Sequence, residues 1–243
     1  MTERRPGRPA SSPPPTRWDR FLYWAGRFRR DESFDETERD YKIEVAEHLQ
    51  AAKVALFEDD PAWLDKLHYA ITAPPNNLTN WRETQAFEAW CRLHPENGKV
   101  ALRRLWDEDV AVAERMDTFA EAVAPSGRLA RIAETSFFHM AMDPHAFPIY
   151  RATPVDKALD LTGYPTPSEV GVKSGELGRR YEHFLTFLDI MIKRAANGEL
   201  ELRDRLDAQS AAWMVTQWPP LEYWSETDRQ AFSEYQGQGS LIR

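Results

Sequence analysis

Along most of this chain apolar side chains return every three or four residues, and no stretch of alternating β-branched residues competes with them. That spacing lines one face of a helix and gives a strand no buried side. From about residue 35 to 59, Tyr41, Val45, Leu49, Ala52 and Leu56 form a stripe, with Glu, Lys and Arg filling the opposite side. "SGELGRRYEHFLTFLDIMIKRAANG" places Leu177, Tyr181, Phe184, Leu188 and Ile192 on another stripe that stops at Gly198. In "APSGRLARIAETSFFHMAM", with Ser126 as cap, Leu129, Ile132, Ala133, Ser136 and Met140 share one face and Phe138 points away, which predicts a helix buried on two sides. Helix starts are predicted at Asp60 with Pro61, at Thr153 with Pro154, and at Ser225 with Asp228, and a stop at Gly163. Further helices are expected near 80–93, 97–106 and 108–123. The pattern predicts an all-α fold, an irregular array of about nine or ten helices without the fixed period of a solenoid.

Composition divides the chain unevenly. Residues 1–16, rich in Pro, Ser and Arg and without periodicity, predict a disordered basic arm. Residues 17–75 form an N-terminal helical segment that opens with "WDRFLYWAGRFRR", where Trp18, Phe21, Leu22 and Trp24 recur at helical spacing. "APPNNLTNW" (73–81) is the strongest internal break, and residues 79–236 make the main helical domain. Eight Arg against Glu3 and Asp19 give the first 30 residues a net +6, which leaves −14 of the total −8 on the rest. That remainder repels a polyanion on average, so contact with nucleic acid must use the arm or a local patch. The N-terminus has no apolar leader and no run is long enough to span a bilayer, so a cytoplasmic protein without membrane contact is expected. The lone Cys91 sits in a helical setting and reads as a buried structural thiol.

Motifs for turnover are sparse. "ENGKVAL" lacks the first Gly and the hydroxyl of a phosphate-cradling loop, and no strand pair gathers acidic residues around Mg²⁺. In "FFHMAMDPHAFPIYR" (137–151), His139 and Asp143 stand four residues apart and His145 follows, a geometrically possible metal set without an evident fourth ligand. The competing reading makes this stretch a corner, in which Phe147 and Tyr150 enter the core and Arg151 reaches a carboxylate or a helix end. In "ELRDRLDAQSAAW", Gln209 lies on the apolar stripe between Leu206 and Trp213 and must find a partner. Arg203, Asp204, Arg205 and Asp207 either pair internally or hold a ligand's polar edge. Arg179 and Arg180, beside Tyr181 and His183, are the best candidate anion patch. Nine Trp exceed what a core of this size requires, so some are expected at an interface.

The helix ending in "MDP…FPIYR" (142–151), "LTGYP" (161–165), "RYEHFLTFLD" (180–189) and "RLDAQSAAW" (205–213) together resemble the N-terminal helical region ahead of the AAA-type motor in McrB-like, 5-methylcytosine-specific restriction proteins of bacteria. The resemblance covers residues 79 to 230. It implies a non-enzymatic recognition or accessory module of an anti-phage system, with DNA, an AAA-type motor and a nuclease as partners and with hydrolysis and cleavage performed elsewhere. The motor itself is not in this sequence. Candidate ligand, DNA or partner contacts are Tyr150, Arg151, Arg179, Arg180, Tyr181, Arg203, Arg205 and Gln209. No catalytic residue, cofactor or bound metal is expected. The alternatives are a helical interaction protein outside defence and, last, a hydrolase built on His139, Asp143 and His145.

Overall fold

The computed structural model describes residues 15–74, 76–124, 127, 130–198 and 200–238. Among these the fold is all-α, with eleven α-helices and no strand. In chain order they are α1 (Arg17–Arg29), α2 (Tyr41–Phe57), α3 (Trp63–Thr72), α4 (Trp81–Leu93), α5 (Pro95–Leu105), α6 (Val112–Val123), α7 (Ile132–His139), α8 (Ala152–Thr162), α9 (Leu177–Ala196), α10 (Arg205–Gln217) and α11 (Glu226–Gln238). A π-helical turn, Glu36–Asp40, leads into α2, and a short 3-10 turn, Ser168–Val170, precedes α9. Apart from Pro15 and Thr16, the predicted basic arm lies outside the described residues, as do Ser126 and Leu129.

Local chemistry sets most of the ends. Thr16 and Asp19 close a reciprocal capping box on α1, the Asp19 amide donating to Thr16 Oγ1 at 3.1 Å and the Thr16 amide to Asp19 Oδ2 at 2.8 Å. Ser225 and Asp228 cap α11, the Asp228 amide donating to Ser225 Oγ at 3.1 Å. Helix α8 stops at Gly163, whose φ of 69° is the left-handed cap conformation that glycine adopts without strain.

Several boundaries differ from the sequence expectation. Asp60 accepts the Ala62 amide at 2.9 Å in a turn of its own, so α3 starts at Trp63. The carboxylate of Asp107 likewise takes the Asp109 amide at 3.1 Å, holding a turn that delays α6 to Val112. Gly127 has a φ of 75°, and the buried helix once expected from Ser126 begins only at Ile132. The 35–59 helix divides into the π turn and α2, and its polar side is not uniformly exposed. Glu38, Arg39 and Lys42 are buried.

Helix α10 stands at the centre, packed against α1, α8 and α9, while α2, α3, α4, α5 and α6 form a chain of neighbours that returns to α9. Ala208, Ser210 and Ala211 on α10 are fully buried, and their small side chains let three helices close on it. Helices α6 and α9 touch backbone to backbone: a Cβ at Gly178 would lie 2.1 Å from the Ala113 carbonyl oxygen. The Gly178 amide donates to Asp117 Oδ1 at 3.0 Å, fixing the start of α9. Aromatic side chains of α1 reach the last helix and the turn before it, with Trp24 stacked on Trp224 at 5.6 Å and Phe28 edge-on to Phe232 at 5.3 Å. One core, from Trp18 to Tyr235, joins the early helices to the late ones. No helix among the described residues is long and apolar enough to cross a membrane.

Candidate functional site

The first turn of α10 is an ionic knot. Asp207, fully buried, accepts from Arg39 Nη1 at 2.5 Å, from Arg203 Nε and Nη2 at 2.7 and 2.9 Å, and from the Arg203 amide at 3.0 Å. Arg29 Nε lies 3.4 Å from its second oxygen. Asp204 caps the helix by taking the Asp207 amide at 2.9 Å and accepts from Arg39 at 2.9 and 2.6 Å. Arg203 continues to Asp35, and Arg205 forms a two-pronged pair with Asp189, both bonds 2.7 Å, and donates to the Ala146 carbonyl. Burial alone would raise the pKa values of Asp204 and Asp207. The bonds from Arg39 to Asp204, and from Arg203 to Asp207 with the charge of Arg39, outweigh burial, so both carboxyls lie below the usual range. The charges of 203–207 are spent on one another and on Asp35, Arg39 and Asp189.

One turn further along α10 the arrangement changes. Four pieces of chain distant in sequence wall a cavity of about 340 Å³: the π turn with the start of α2, the connection after α3, residues 149–151, and the α10 face carrying Gln209 and Trp213. At its floor the buried Lys42 ammonium donates to Glu38 Oε2, Gln209 Oε1 and Ser210 Oγ, each at 2.9 Å. The other oxygen of Glu38 accepts from Trp218 Nε1 at 3.1 Å, and Ser210 Oγ donates to the Glu38 carbonyl at 2.8 Å. Burial holds the Lys42 pKa below its ordinary value, opposed by the Glu38 charge. Tyr41 forms part of the wall, its phenol pushed up by burial and by Glu38. Arg151 donates to the Leu78 carbonyl at 2.5 Å and lies over Trp213 at 5.1 Å from the ring centre. Among the described residues it has no carboxylate partner.

Of the residues proposed from sequence, Arg151 and Gln209 meet at this cavity, and Arg203 and Arg205 sit in the ionic knot. Tyr150 and Tyr181 are architectural. The Tyr150 amide donates to Ser136 Oγ at 2.9 Å and its ring packs edge-on against Phe184, while Tyr181 OH donates to the Pro148 carbonyl at 2.8 Å. Arg179 pairs with Glu176 on the surface, and Arg180 makes a long contact, 3.4 Å, to the Ser174 carbonyl and lies near the Tyr150 hydroxyl. These two stand apart from the cavity lining. His139 is fully buried between Phe147 and Tyr181, with Arg115 Nη1 3.5 Å from its Nε2. His145 Nδ1 lies 2.8 Å from Arg39 and 3.1 Å from Asp204, and Asp143 accepts the His145 amide at 2.8 Å. No group of three or more His, Cys, Asp or Glu among the described residues is placed to hold a metal, so these three are not gathered into a ligand set.

Sequence reasoning missed Lys42, Glu38 and Trp218. The usable signal was spacing, since positions 38 and 42 extend the stripe of Val45, Leu49, Ala52 and Leu56 at intervals of three and four. No family model, curated protein or solved structure matches the chain.

Proposed function

We propose that this chain is a non-catalytic helical recognition module of a bacterial restriction or anti-phage system, whose specific contact is made at the cavity beside α10. In this reading hydrolysis and DNA cleavage belong to a motor and a nuclease outside this sequence. The defence assignment rests on the sequence resemblance within 142–213. The recognition assignment is carried by one observation: the ionisable groups at the cavity floor are already committed. Lys42 has three acceptors for its three N–H bonds, and Glu38 has a donor on each oxygen. Such groups hold a shape and a charge, whereas proton transfer needs a group free to bond the reacting atom. A helical interaction protein outside defence is the second reading, favoured by exposed Phe57, Tyr69 and Leu93 on neighbouring helices.

The test is fluorescence anisotropy on labelled duplexes with and without 5-methylcytosine, across a salt titration, beside assays for GTP and ATP consumption. The expected result is binding that weakens with salt and falls in Arg151→Gln, with no turnover. Nucleotide consumption by the purified chain overturns the non-catalytic reading. Loss of all DNA binding, together with no association with a purified motor encoded beside this gene, overturns the recognition reading.

A further inference from the structure

The cavity has a definite chemical preference. Its charged side chains are Lys42, Glu38 and Arg151, two cations against one anion. The Lys42–Glu38 pair neutralises itself, so the uncompensated charge is that of Arg151. Its guanidinium is anchored at one nitrogen to the Leu78 carbonyl and rests on the Trp213 indole, which leaves its other N–H groups as donors in a fixed fork. Gln209 spends its carbonyl oxygen on Lys42. Tyr41, Trp213 and Trp218 supply aromatic wall, and the Trp218 ring is pinned by its bond to Glu38. The volume, about 340 Å³, lies at the small end of ordinary ligand pockets.

Each part selects against a different class of ligand. Aromatic walls favour a flat ring. A guanidinium fork favours an oxyanion with two acceptor oxygens. One surplus positive charge in the lining matches a ligand group that carries a single negative charge. We infer that the cavity beside α10 binds a small planar monoanion, an aromatic ring carrying one carboxylate, with the carboxylate on Arg151 and the ring against Trp213 and Trp218. This inference rests on the cavity being the recognition site, and it adds the chemical class that the site accepts.

The experiment is ligand-observed NMR and tryptophan-fluorescence titration of the full chain with benzoate, cinnamate and indole-3-carboxylate up to millimolar concentrations. Parallel arms use neutral indole, inorganic phosphate and cytidine 5′-monophosphate. Saturable binding, with one site per chain, is expected for at least one aromatic acid, at least about tenfold tighter than for indole or phosphate. Arg151→Gln and Trp213→Leu should each weaken it by roughly tenfold or more, while the exposed Arg179→Gln leaves it unchanged. Arg151→Lys keeps the charge but loses the fork, and intermediate affinity is expected. Tighter binding of the monophosphate than of every carboxylate overturns the single-charge assignment. Failure of all three acids to bind a chain whose circular dichroism is native overturns the inference outright. If duplex binding still falls in Arg151→Gln in that case, the recognition module stands and only its small-ligand chemistry is rejected. Binding of an aromatic acid without any duplex binding supports the inference and rejects the DNA reading.

Discussion

Two consecutive stretches of α10 treat charge in opposite ways. At Asp204–Asp207 the two carboxylates are matched by arginines from the α1 end, the π turn and the residue just before the cap of α10, and the cluster closes on its own members. At Gln209–Trp213 the same helix borders a cavity in which Arg151 is held in place but has no carboxylate among the described residues to answer it. The contrast separates structure from recognition more sharply than residue type does. Arg203 and Arg205 are as cationic as Arg151, yet their charge is consumed by the fold. A binding group is recognised by what remains unspent once internal partners are assigned.

The comparison is broken most forcefully at Asp207. Asp207→Asn leaves Arg39 and Arg203 facing an amide in a buried site and should cost about 3–5 kcal/mol in urea unfolding, the range for removing one partner from a buried pair. A loss below about 1 kcal/mol would mean the knot is ornamental to stability. Lys42→Met strands Glu38 and is expected near the lower end of that range, about 3 kcal/mol, whereas Lys42→Met with Glu38→Leu should regain most of it. A double variant as unstable as the single one would deny that the floor of the cavity is a self-contained pair.

A smaller effect concerns burial without a counter-charge. Among the described residues His139 has an arginine nearby and no carboxylate partner, and burial, then the Arg115 charge, lowers its pKa to about 3. The unfolded chain therefore binds a proton near pH 6.5 that the folded chain refuses, so stability falls as pH drops from 6.5 towards 3, by at most about 1.4 kcal/mol per pH unit. His139→Phe should flatten the slope between pH 6.5 and 4.5, leaving the shallower contribution of His183, which burial shifts in the same direction. An unchanged slope would show that His139 titrates freely. The smallest effect is expected at Arg179→Ala, within about 0.5 kcal/mol, because its pairing with Glu176 is on the surface.

Much of the architecture was readable from spacing. The stripes on α9 and α10, the caps at Ser225 and Gly163, and the two-sided burial of α7, with Ile132, Ser136 and Met140 on one face and Phe138 on the other, all follow from where apolar residues and special turn residues stand. Two of the boundaries that moved are those at which an Asp bonds its own turn, at 60 and 107, because capping and turn formation use the same side-chain chemistry. At the site, Gln209 could be singled out because an amide on an apolar stripe demands a partner. The same argument applies to Lys42 and Glu38, but the partner of each lies partly 167 or more residues away, and a charged residue on a helix reads first as solvated. Arg151 was legible as an arginine with work to do. Which work depended on Leu78 and Trp213, which no local pattern connects to it.

The bare contact at Gly178 reaches further than its position suggests. Helix α9 is seated by that touch against α6, and its Asp189 holds Arg205 at the foot of α10. A single methyl at 178 would have to lift α9 off the Ala113 carbonyl, and the displacement would arrive at Gln209 and Trp213 through helices that have no slack to absorb it. The shape of the cavity is thus partly decided outside its own lining, at a residue with no side chain.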